Sequence, residues 1–141
     1  MAQISESTAS LRISGDDLDP AVITMLLGCE PTQAQKQGQQ IVGRKSGHVH
    51  RARTGMWRLE ATRCTPEDLN TQIREILSRV SSDLTVWHDL ASKYRMEIFV
   101  GLFLNESNEG MFIDTEAVKA LGDRGIEISL DIYGPTNEQS V

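Results

Sequence analysis

The side chains with most capacity for chemistry lie between positions 43 and 58. His48-Val-His50 places two imidazoles two residues apart. On an extended segment alternate side chains point the same way, so the pair could share a metal, with a third ligand drawn from His88, Asp131, Cys29 or Cys64. There is no HExxH, CxxC or spaced acidic loop of the EF-hand kind. A His-x-His pair alone more often marks surface histidines, so neither a metal nor a cofactor is assigned. Arg44 and Lys45 precede the histidines, and Arg51 and Arg53 follow them. Guanidinium forks match carboxylates and phosphates, which makes Arg44, Lys45, His48, His50, Arg51 and Arg53 a candidate anion site. Gly43, Gly47 and Gly55 would let the backbone approach a ligand, and Trp57 could stack on it. Trp57 also alternates in phase with Leu59 and Ala61, which favours a core anchor. Neither GxxxxGK[ST] nor GxGxxG is present, so no nucleotide cradle of known type is expected.

Nucleophilic catalysis finds less support. Cys29 follows a helix end, where the dipole raises a thiol pKa. Cys64 precedes a helix start and adjoins Arg63, but it fits better as the apolar staple residue facing Leu69. No GxSxG elbow exists. The balance favours a non-enzymatic chain over an enzyme.

Periodicity supplies the elements that must position these groups. Ala9, Leu11 and Ile13 alternate with Ser10, Arg12 and Ser14, as in a half-buried strand. Asp19 is placed as an N-cap with Pro20 at the first helical position, and Gly28 supplies the stop. Residues 30–55 read as a long Gln- and Gly-rich loop with at most one short strand. MWRLEA forms a second strand. Thr65-Pro-Glu-Asp68 reads as a capping box, followed by one long helix or two abutting ones over about 66–92. MEIFVGLFL is apolar on both faces, as in a central strand, and MFI is placed to pair back on it. Asp114 caps a helix that Gly122 and Gly125 end. Ile126, Ile128, Leu130 and Ile132 then alternate with Glu127, Ser129, Asp131 and Tyr133. The strong polar faces of the first and last strands favour an α+β fold: a mostly antiparallel sheet with helices packed on one face, ferredoxin-like or related.

The 141 residues suit a single domain, with a core over about 8–133 and a polar tail over 134–141. With 39% hydrophobic and 24% charged residues the chain is globular, and two cysteines are too few for a disulfide framework. No apolar run reaches the roughly 18–20 residues of a membrane span, and the N-terminus carries no secretory signal, so no membrane and a cytoplasmic location are expected. Net charge is −6, yet residues 36–63 carry seven basic side chains against one acid. An acidic body with one basic segment, and aromatic residues at only 5%, argues against nucleic acid as a partner.

Several motifs in this order, LRISGDDLDPAVITMLLGCEPT, TGMWRLE, the acid-capped long helix and GIEISLDIY, resemble the bacterial domain-of-unknown-function family numbered 4279, from about Ser10 to Tyr133. The resemblance implies a small bacterial intracellular domain with no assigned activity and carries over no catalytic residue. By analogy of class alone, such domains are similar to immunity proteins of toxin systems. Function is therefore expected to be protein binding, of a regulatory or immunity type, through the basic loop and a polar sheet face bearing Asp131 and Tyr133. The alternative is a small-anion or nucleotide-phosphate binding protein or enzyme centred on the basic loop at 43–58. Edge strands of such a sheet can also pair two copies into a homodimer, which the sequence does not decide.

Overall fold

A computed structural model describes residues 2–43 and 45–135. The chain runs β1 (Glu6–Gly15), α1 (Pro20–Leu27), β2 (Gln33–Gln35), β3 (Gln40–Val42), β4 (Val49–Arg51), β5 (Gly55–Glu60), α2 (Leu69–Arg79), α3 (Leu84–Lys93), β6 (Arg95–Phe103), α4 (Thr115–Arg124) and β7 (Glu127–Tyr133). Five strands form one sheet in the order β2-β5-β1-β6-β7, while β3 and β4 form a separate two-stranded hairpin. β1 is antiparallel to both β5 and β6, and β2 is antiparallel to β5. Only β6 and β7, joined through α4, run parallel. This is the α+β class with a mostly antiparallel sheet.

Period-2 alternation divides the sheet into two faces. Leu11, Ile13, Trp57, Leu59, Ile98 and Val100 point to one side and are fully buried. They meet Ile23 and Leu27 of α1, Ile73 and Ile76 of α2, Trp87 and Leu90 of α3, and Leu121 of α4 in one apolar cluster. The opposite face carries Ser10, Arg12, Arg58, Glu97 and Phe99 and has no helix over it.

The helix starts follow local chemistry. The Asp19 carboxylate accepts from the Ala21 amide, and Gly28 closes α1 at φ 69°, a backbone angle that a side chain would strain. Asp114 likewise accepts from the Ala117 amide to start α4.

At the start of α2 the expectation is corrected: Asp68, not Thr65, is the N-cap, accepting from Thr71, and the helix begins at Leu69. The preceding residues are held by tertiary bonds instead. The Cys64 amide donates to Ser7 O, Glu67 to Ile4 O, and Asp68 to the Ser7 hydroxyl. The 66–92 region resolves into two helices. Ser81 donates to Leu27 O, and Asp83 caps α3 through the Thr85 amide, so the chain turns where one long helix would have continued.

Two further expectations are corrected. Residues 30–55 contain three short strands, because β2 finds pairing on the β5 edge and β3 pairs with β4. The MFI segment does not pair back on β6. It lies along α2, where the Asn70 side chain donates to Phe112 O and accepts from the Asp114 amide.

Candidate functional site

Three surfaces gather chemistry: the β3–β4 hairpin, the open sheet face, and the outer edge of β7. In the hairpin, Lys45, His48, His50, Arg51 and Arg53 are all exposed. Arg44 lies outside the described residues. His50, Arg51 and Arg53 border a shallow groove with Gln35 and Thr54. One Arg51 Nη already donates to Gly38 O at 3.1 Å. Trp57 does not reach this groove. It is fully buried, with its indole N–H donating to Thr24 Oγ1 at 3.1 Å, so the core role holds and the stacking role falls. Among the described residues no group of three or more His, Cys, Asp or Glu side chains is placed to hold a metal ion. The basic segment, where described, is thus a solvated hairpin that brings His50, Arg51 and Arg53 to one groove and leaves Lys45 and His48 outside it.

A wider cleft of about 760 Å³ lies between the start of α2 and the segment 110–112, lined in part by Arg63, Cys64, Glu67, Asp68 and Phe112. Cys64 is the one thiol among the described residues there. Burial first, then the charges of Asp68, Glu75 and Glu67, push its thiol above the ordinary range. A thiol so placed is a poor nucleophile. At pH 8, iodoacetamide should therefore alkylate Cys64 in the folded protein several-fold more slowly than in the urea-unfolded chain. Mass spectrometry of timed aliquots reads this, and equal rates would contradict the assigned environment.

The open face of the sheet is richer than its sequence suggests. Arg12 and Arg58 sit directly opposite each other across the β1–β5 ladder. The Arg12 guanidinium lies 3.9 Å from the centroid of the Phe99 ring. Arg58 pairs with Glu60 at 2.7 Å, and Arg63 with Glu6 at 2.6 Å. Arg12 escaped the sequence reading because a single arginine on a strand's polar face is indistinguishable from a solvated one. Register alone brings it against Arg58.

On the same face, at the β7 edge of the sheet, Asp131 and Tyr133 come together as one unit. The tyrosine hydroxyl donates to Asp131 Oδ2 at 2.6 Å, which raises the phenol's pKa. Its ring stacks on Phe103 with centroids 4.8 Å apart and planes within 3°. On the opposite face of the same strand, Ile128 is half-buried, but Leu130 and Ile132 are 50% and 57% exposed. Their alternation suggested a core-facing row throughout, and the structure corrects this. α4 packs against α2 and α3, and the far end of β7 projects past the helical layer. β7 is also the last strand of the sheet, so one side of its backbone has no neighbouring strand among the described residues.

No helix among the described residues is long and apolar enough to cross a membrane. Comparison with curated proteins and with solved structures finds no match. A family model described as Domain of unknown function (DUF4279) matches residues 5–135, which takes in every strand and helix above. Since that match covers nearly the whole chain, the protein belongs to the DUF4279 family.

Proposed function

We propose that the chain is a non-enzymatic protein-binding module whose contact surface is the outer edge of β7. The observation that carries this reading is the coincidence, on one edge strand, of backbone groups that pair with no other strand among the described residues and half-exposed Leu130, Ile132 and Tyr133. An exposed, regular edge strand with an apolar face is the template for strand addition, and proteins that do not use such an edge usually blunt it with lysine, proline or a bulge. β7, with the sequence EISLDIY, has none of these.

The strand that fits this edge is β7 of a second copy. Tyr133 turns its carbonyl to Leu104 after β6. By alternation along an extended strand, Ile128, Leu130 and Ile132 turn their amides and carbonyls outward. Antiparallel pairing about Leu130 would set Leu130 against Leu130 of the second copy, Ile128 against its Ile132, and Ser129 against its Asp131. Apolar residues then meet apolar ones, and no like charges stand directly opposite.

The test is sedimentation velocity across the micromolar range on wild type and on Leu130→Lys. Because Leu130 is half exposed, lysine there leaves the fold intact while placing two ammonium groups against each other at the centre of the pairing. Wild type should sediment as a dimer at the upper concentrations, and the variant as a monomer throughout. A wild type that stays monomeric, or a variant that dimerises equally well, overturns the reading.

A further inference from the structure

We infer that the open sheet face holds a small oxyanion, a carboxylate or a phosphate, between Arg12 and Arg58. The argument is independent of the β7 edge. Two arginines directly opposite on neighbouring strands repel each other, an arrangement that costs stability unless something negative lies between them. The carboxylates nearby are already engaged. Glu60 is on Arg58, Glu6 on Arg63, and Glu97 is shared by Arg95 and the Ser129 hydroxyl. Arg12 makes no ion pair among the described residues, although Glu97 stands directly opposite it on β6 and engages Arg95 instead. Burial first, then the charge of Arg58, lowers its pKa, and the charges of Glu97 and Glu60 offset only part of this.

The surroundings are those of a ligand groove. A depression of about 330 Å³, a size that suits a small molecule, is lined in part by Thr8, Ser10, Arg12, Arg58, Arg63 and Phe99, with Glu60, paired to Arg58, also on its wall. Thr8 and Ser10 offer hydroxyl donors on the same face of β1 as Arg12. The Arg12 guanidinium carbon lies 3.9 Å from the Phe99 ring centroid, a contact that restrains the side chain, and a guanidinium fork suits a two-point contact with a planar or tetrahedral oxyanion. The Nε atoms of both Arg12 and Arg58 are buried and have no hydrogen-bond partner among the described residues. The alternative anion site in the basic hairpin lacks these features among the described residues, since Lys45, Arg51 and Arg53 are solvent-exposed and carry no aromatic stack.

The test titrates inorganic phosphate, and separately benzoate, into the full chain at fixed ionic strength, with chloride as the control. Arginine Nε–Hε resonances and the thermal midpoint are followed together. We expect saturable binding of at least one probe with a shift at Arg12. Arg12→Gln should weaken it about tenfold or more, as loss of a charge-assisted contact predicts. Arg12→Lys should not restore it, because an ammonium has neither the fork nor the stack. Binding of phosphate alone assigns phosphate monoesters, and binding of benzoate alone assigns carboxylates. If Arg12→Gln does not fold, Arg58→Gln replaces it, with the same loss of binding expected. Responses no greater than chloride in the wild type, or unchanged affinity in the folded variant, overturn the inference.

Discussion

Replacing Trp57 with alanine is expected to destabilise the fold by about 3–5 kcal/mol, the range for removing a fully buried large aromatic. The indole is fully buried, at the centre of the cluster that joins β5 to α1. Its N–H also bonds the Thr24 hydroxyl, so the loss combines lost burial, a cavity and an orphaned partner. Trp57→Phe should recover most of this, leaving a deficit of about 1–2 kcal/mol for the missing bond and the smaller ring. Urea unfolding of the three proteins checks the order. A Trp57→Ala protein within about 0.5 kcal/mol of wild type would mean the ring is not a core element, and would reopen a ligand-stacking role.

Gln72 carries the second large effect. It is fully buried in α2 and closes a polar knot against β1. Its Nε2 donates to Ser7 O at 2.9 Å and to Thr62 O at 3.0 Å, while its Oε1 accepts from the Ser7 hydroxyl at 2.7 Å. That hydroxyl in turn accepts from the Asp68 amide, which starts the helix. Gln72→Ala should therefore cost about 3 kcal/mol, most of it the desolvation of partners left without bonds. Gln72→Leu fills the volume but satisfies none of the partners, so it should remain at least about 2 kcal/mol destabilised. Adding Ser7→Ala to Gln72→Leu should cost less than the two losses taken separately, because both act through one network. Equal stability of Gln72→Leu and wild type would show that packing, not the polar knot, holds α2 on the sheet.

The elements with local signals were legible in the sequence. Asp19, Pro20 and Gly28 bracket α1 through backbone chemistry confined to the helix ends, and β1, β5 and β7 declare themselves by alternation. What failed was whatever depends on distant neighbours. Thr65 offers as good a cap as Asp68 until the N-terminal segment takes the intervening amides. Residues 33–35 carry no strand signal, and become a strand because β5 offers an unpaired edge.

The site followed the same division. The basic residues at 43–58 drew attention because they cluster in sequence, yet most are solvated. Arg12 and Arg58, 46 positions apart, meet only through the β1–β5 register. Leu130 and Ile132 look like core residues from their pattern, and only the reach of the helical layer shows that they are not. Asp131 and Tyr133, read as one polar face of the last strand, are indeed side by side and joined by a hydrogen bond.

The binding role assigned to β7 is tested most directly by amide hydrogen exchange, residue by residue, at low and high protein concentration. Glu127, Ser129, Asp131 and Tyr133 turn their amides to β6 and should be protected at every concentration. Ile128, Leu130 and Ile132 turn theirs outward, and should exchange freely in dilute protein and slow markedly as it is concentrated, in step with dimer formation. Outward amides that exchange freely at every concentration would contradict the assignment of this edge as the protein's contact surface.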